Sequence, residues 1–121
     1  MQFRFILLSL AMSALTTFAA DGPVRHVVHF KFKPDAAKAD IEKVTKEFAA
    51  LKTRIPGIEK LEWGTNSSSE GLDKGFTHCW IVSFKDGAAR DAYLVHPEHK
   101  KFVGLLKPVL EEALVVDFIP Q

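Results

Sequence analysis

The chain has 121 residues, 47% of them hydrophobic, with 16 Lys and Arg against 15 Asp and Glu. Such a length holds about one domain with a modest core, and the balanced charge excludes a surface built to neutralise the phosphates of a nucleic acid. The single cysteine, Cys79, excludes an internal disulfide.

Residues 1–19 are a different kind of text from the rest. Arg4 supplies a positive start, Phe5 to Leu15 is almost unbroken apolar sequence, and Thr17-Phe18-Ala19 presents small residues at the positions a signal peptidase reads. The expectation is a signal peptide cleaved after Ala19, a retained anchor being the alternative. The mature chain would then run from residue 20 to residue 121. It would lose the charge of Arg4 and so be formally neutral, and it would be secreted or periplasmic and free of the membrane.

Arg25 to Lys33, RHVVHFKFK, alternates with a period of two and predicts a strand. His26, Val28, Phe30 and Phe32 share one face, while Val27 and His29 share the other with Arg25, Lys31 and Lys33. The two histidines therefore cannot hold one ion together. Pro34-Asp35 ends the strand, and Asp35 is a candidate N-cap. Ile41, Val44, Phe48, Leu51 and Ile55 then recur at helical steps, and Pro56-Gly57 stops that helix.

Ile58 to Thr65 predicts a second strand, and Asn66 to Gly71 an exposed polar loop. Phe76 to Phe84 predicts a third strand, with Phe76, His78, Trp80, Val82 and Phe84 on one face and Cys79 and Ile81 on the other. Asp86-Gly87 opens a short helix, Ala88 to Leu94. His96-Pro97 has the form of an N-cap followed by proline at the first helical position. Phe102, Leu105, Leu106, Val109, Leu110 and Ala113 continue at helical spacing, with a kink or break expected at Pro108. Leu114 to Ile119 predicts the last strand.

The order strand, helix, strand, strand, helix, strand predicts an α+β, ferredoxin-like fold: a four-stranded antiparallel sheet with its helices on one face. The opposite face keeps Val27, Cys79 and Ile81, apolar enough to favour stacking against a second sheet. His26 and His78 have the parity of the helix side. Tyr93, His96 and His99 stand near the end of the short helix. His26, His78, Tyr93 and His99 can thus converge on one space, where imidazoles exchange protons near neutral pH and a phenol orients a carbonyl. The alternative is that these histidines are satisfied core groups, and His96 is explained by capping alone. No Cys or carboxylate joins them at zinc-ligand spacing, and no cofactor or metal is called for.

HVVHFKFKPD, IPGIEKLEWG, GFTHCWIVSF and DAYLVHPEHKKF, in this order, resemble the stress-responsive A/B barrel (Dabb) family from about His26 to Pro120. The resemblance implies a Dabb domain over residues 20–121 that dimerises through its sheet face into an α+β barrel. A polyketide cyclase of the family is similar throughout. Its functional residues fall on His26, His78, Tyr93 and His99, which implies His99 as general base, Tyr93 as orienting group, and His26 and His78 shaping the pocket. Val28, Phe30, Phe48 and Trp80 would form the apolar ligand-binding wall. Phe48 replaces a tyrosine of the cyclase, Trp80 a smaller residue and Leu110 a tryptophan, which argues against a long polyketide. Three functions stay open: a homodimeric binder of a small, partly apolar ligand, a cofactor-free lyase or cyclase acting on a carbonyl compound, and a purely structural dimer.

Overall fold

The computed structural model describes residues 22–121, so the signal-peptide expectation for residues 1–19 lies outside the described residues. Seven elements follow in chain order: β1 (Val24–Phe32), α1 (Lys38–Arg54), β2 (Ile58–Thr65), β3 (His78–Phe84), α2 (Gly87–Leu94), α3 (Pro97–Leu106) and β4 (Leu110–Phe118). The strands form one antiparallel sheet in the order β2-β3-β1-β4. This is the ferredoxin-like α+β arrangement.

Burial alternates along β1 as the pleat requires, with Val24, His26, Val28 and Phe30 buried and their neighbours half-exposed. Helix α1 lays Val44, Phe48 and Leu51 on that buried side, and Phe48 stacks on Trp80 of β3 at 4.0 Å between nearly parallel rings. Val82, Phe84, Phe102 and Leu106 complete the same cluster. Each large apolar side chain buried there contributes roughly 1.5–3 kcal/mol against the entropy of ordering the chain.

Three boundaries differ from the sequence reading. The N-cap of α1 is Ala37, not Asp35, and no side chain caps that end. β3 begins at His78 instead of Phe76, because the amide of Phe76 is turned back onto the carbonyl of Asp73. The third difference lies at Pro108. It has no N–H to donate, so α3 ends at Leu106 and the amide of Val109 bonds the Leu106 carbonyl. Leu110 and Ala113 therefore belong to β4, which starts four residues earlier than Leu114.

The predicted cap at His96 is present, and α2 has a side-chain cap as well. Asp86 accepts from the amide of Ala89 at 2.8 Å, and the Nδ1 of His96 accepts from the amide of Glu98 at 3.0 Å with Pro97 just inside the helix. The helices cover one face only. On the other, Val27 pairs in register with Ile81 and Val116, and the flanking Leu114, Val116 and Phe118 of β4 are about half-exposed.

Candidate functional site

The helices leave a hollow beside β4. It is an open cavity of about 630 Å³ between β1, β4, α2 and α3. Phe30, Phe48, Phe102 and Leu106 supply its apolar wall, and His26, Tyr93 and His99 stand at its polar end with Arg90 and Asp117.

Each polar group is positioned by a local rule. His26 faces inward by strand parity and is 6% exposed. Asp117 is its Cα partner on β4, so the two side chains meet on the same face, Nδ1 to Oδ1 at 2.7 Å. A carboxylate only accepts, so Nδ1 of His26 donates and Nε2 remains for the cavity. The other carboxylate oxygen of Asp117 accepts from Nη1 of Arg90 at 3.0 Å, while Nε of Arg90 donates to Asp91 at the same distance. Arg90 reaches this point because it lies one turn before Tyr93 on α2.

Tyr93 is 1% exposed, its ring 5.8 Å from that of His26 and 4.6 Å from that of His99. Burial pushes its phenol well above the usual tyrosine range, so it remains a protonated donor at neutral pH. His99 projects from the first turns of α3, and its Nδ1 lies 3.1 Å from the Leu94 carbonyl oxygen. A carbonyl also only accepts, so Nδ1 carries the proton and the neutral ring presents its lone pair at Nε2. Burial holds His99 below its ordinary value, with the Leu94 carbonyl opposing that shift and His26 adding to it. The result is a neutral imidazole beside a neutral phenol, with the carboxylate-bonded imidazole of His26 facing both.

His78 is not part of this group. It lies on the expected face, but its cross-strand partner is Phe30, whereas His26 pairs with Val82. That is four residues along the sheet, roughly 13 Å away. There His78 meets Phe32 edge-on at 5.0 Å, bonds Thr77 through Nδ1 and stacks toward Trp63. Trp80 is also absent from the cavity wall. Its ring is fully buried between Phe48 and Trp63, and its Nε1 has no partner among the described residues. Val28, Phe30 and Phe48 do line the cavity. His29 sits on the bare face near Phe76, and among the described residues no three His, Cys, Asp or Glu side chains are grouped to hold a metal ion.

Asp117 and Arg90 escaped the sequence reading. Asp117 left one signal: it is the sole charged residue in the apolar run Leu114 to Ile119 and has the parity of Val115.

A half-covered antiparallel sheet with a histidine–tyrosine cavity under its helices defines a ferredoxin-like α+β domain. The chain belongs to the stress-responsive A/B barrel domain (Dabb) family, whose model matches residues 24–120. It is similar to the stress-response A/B barrel domain-containing protein HS1 of Arabidopsis thaliana, with 34% identity over 101 residues, covering 84% of this chain and 93% of that one. Olivetolic acid cyclase of Cannabis sativa is 28% identical over 98 residues, covering 81% of this chain and 97% of the cyclase. Among solved structures, a dimeric ferredoxin-like protein of unknown function from Jannaschia sp. CCS1 superposes with a TM-score of 0.72 at 27% identity, covering 82% of this chain and 100% of the other.

Proposed function

We propose that this Dabb-domain protein is an exported homodimer whose cavity binds a small, mainly apolar molecule by its polar end. One observation carries the ligand reading. His26, Tyr93 and His99 meet at one end of an open hollow whose remaining wall is largely aromatic and aliphatic. Its volume lies within the usual range of small-molecule sites, about 300–1,000 Å³. Dimerisation is supported by the exposed apolar strip on β4 and by the dimeric state of the Jannaschia relative. Export rests on the pattern of residues 1–19.

Native mass spectrometry of the purified protein tests binding and assembly at once. A dimer carrying a releasable small molecule is expected. A monomer, or a dimer whose cavity takes up no small apolar compound, opposes it.

A second reading has its own observation. The His99 ring is held by the Leu94 carbonyl in the tautomer that leaves Nε2 basic, and it remains neutral near pH 7. With Tyr93 beside it, His99 would take a proton from a bound carbonyl compound or its alcohol adduct while the phenol steadies the oxygen. The similarity to a cyclase supports this lyase or cyclase reading. Loss of turnover of such a compound in His99→Ala, with the fold retained, is its test.

A further inference from the structure

The cavity has a charge pattern that restricts what it can hold. Resting on the ligand reading above, we infer that the site selects uncharged molecules bearing a hydroxyl or carbonyl group and rejects carboxylates.

The charged groups lining the cavity are Arg90, Asp91 and Asp117, one cation against two anions. Arg90 is already committed to both acids, through Nη1 to Asp117 and through Nε to Asp91, each at 3.0 Å. Asp91 is 68% exposed and strongly screened by solvent, so it counts for little. Asp117 is 23% exposed and does not share that screening. It takes Arg90 on one oxygen and the N–H of His26 on the other. The one guanidinium on the lining is thus shared by two carboxylates of the protein. A carboxylate entering here would face the anion of Asp117, or would have to compete with it for Arg90. Either course costs desolvation without repayment.

The unclaimed groups match a neutral oxygen. Tyr93 has a protonated hydroxyl and lies within ring contact of both histidines. His26 and His99 each spend Nδ1 on a protein acceptor, and the neutral ring of His99 keeps one lone pair at Nε2. The phenol donor beside the imidazole acceptor of His99 suits an alcohol or a carbonyl, which gives or takes a hydrogen bond without carrying charge. The aromatic wall of Phe30, Phe48 and Phe102 accommodates a ring attached to that oxygen.

The test compares three probes of one size, benzyl alcohol, benzaldehyde and benzoate, by NMR titration of the full protein at pH 7.5. The two neutral probes are expected to bind about tenfold or more tighter than benzoate. In Asp117→Asn the ratio of benzoate to alcohol affinity should rise, whereas the surface change Asp91→Asn should leave it nearly unchanged. Equal binding of benzoate and benzyl alcohol overturns the charge selection and leaves the cavity reading standing. A ratio that Asp117→Asn does not move, or that Asp91→Asn moves as much, overturns the assignment to Asp117. Failure of all three probes to perturb the cavity overturns the ligand reading and the inference with it.

Discussion

Asp117 of β4 and His26 of β1 are cross-strand partners joined side chain to side chain at 2.7 Å, and Arg90 of α2 completes the link from the other carboxylate oxygen. The contact ties an edge strand to the sheet centre and to a helix. Replacing Asp117 by Ala leaves a mostly buried imidazole N–H without its acceptor and takes from Arg90 one of its two carboxylates. The expected loss is about 1–3 kcal/mol, since an orphaned polar group costs its desolvation. Urea denaturation checks this. Asp117→Asn keeps one acceptor and should lose less.

His99 is partly exposed at the cavity and bonded once, to the Leu94 carbonyl. His99→Ala should therefore change stability by less than about 1 kcal/mol, as side chains outside the packed core usually do. It should nonetheless weaken binding of a neutral probe by several-fold. A fall in Tm of many degrees with binding intact would instead make His99 a structural group.

The pH dependence follows from the two imidazoles held low by burial, His99 and His78. Each binds its proton less readily in the folded than in the unfolded state. Their contribution is fully present above the ordinary histidine value, about 6.5, and is lost as pH falls below it. Glu47, lowered by Arg54, adds its loss only in more acidic solution, beneath the ordinary 4.5. The urea midpoint should drop between pH 7.5 and pH 5, and the double change His99→Gln, His78→Gln should flatten that drop. A midpoint that is level or rises on acidification contradicts the assignment.

Much of this was legible in the chain. The alternation of Arg25 to Lys33 put His26 inward, and His96-Pro97 marked the start of α3. Parity, however, says which face a side chain takes and not how far along the sheet the helices reach. His78 shows the difference: its face was right, but its distance along the strands from His26 could not be read. Asp117 depended on the register of β4 against β1, which is set by a connection of many residues. Val109 to Ala113 satisfies both helical and strand patterns, and Pro108 predicts a kink or a break where the structure ends the helix.

Trp80 is a core member, with Phe48 at 4.0 Å on one side and Trp63 at 4.8 Å on the other. Trp80→Ala should cost about 3–5 kcal/mol by opening a large void. Calorimetry should show it as the most damaging of the changes proposed. A mild effect would mean that the aromatic stack carries little of the stability.

Val116 sits at the middle of the bare apolar strip, opposite Val27. Val116→Lys places a charge where a second sheet would press, so light scattering should show a folded monomer in place of a dimer. An unchanged dimer would move the interface to another surface.

The most direct measurement is a crystal of the protein soaked with 4-bromobenzyl alcohol, with bromine located by its anomalous signal. The account predicts bromine against Phe48 and Phe102 and the hydroxyl among His26, Tyr93 and His99. Bromine found only on another surface, with the hollow closed by its own side chains, would contradict it.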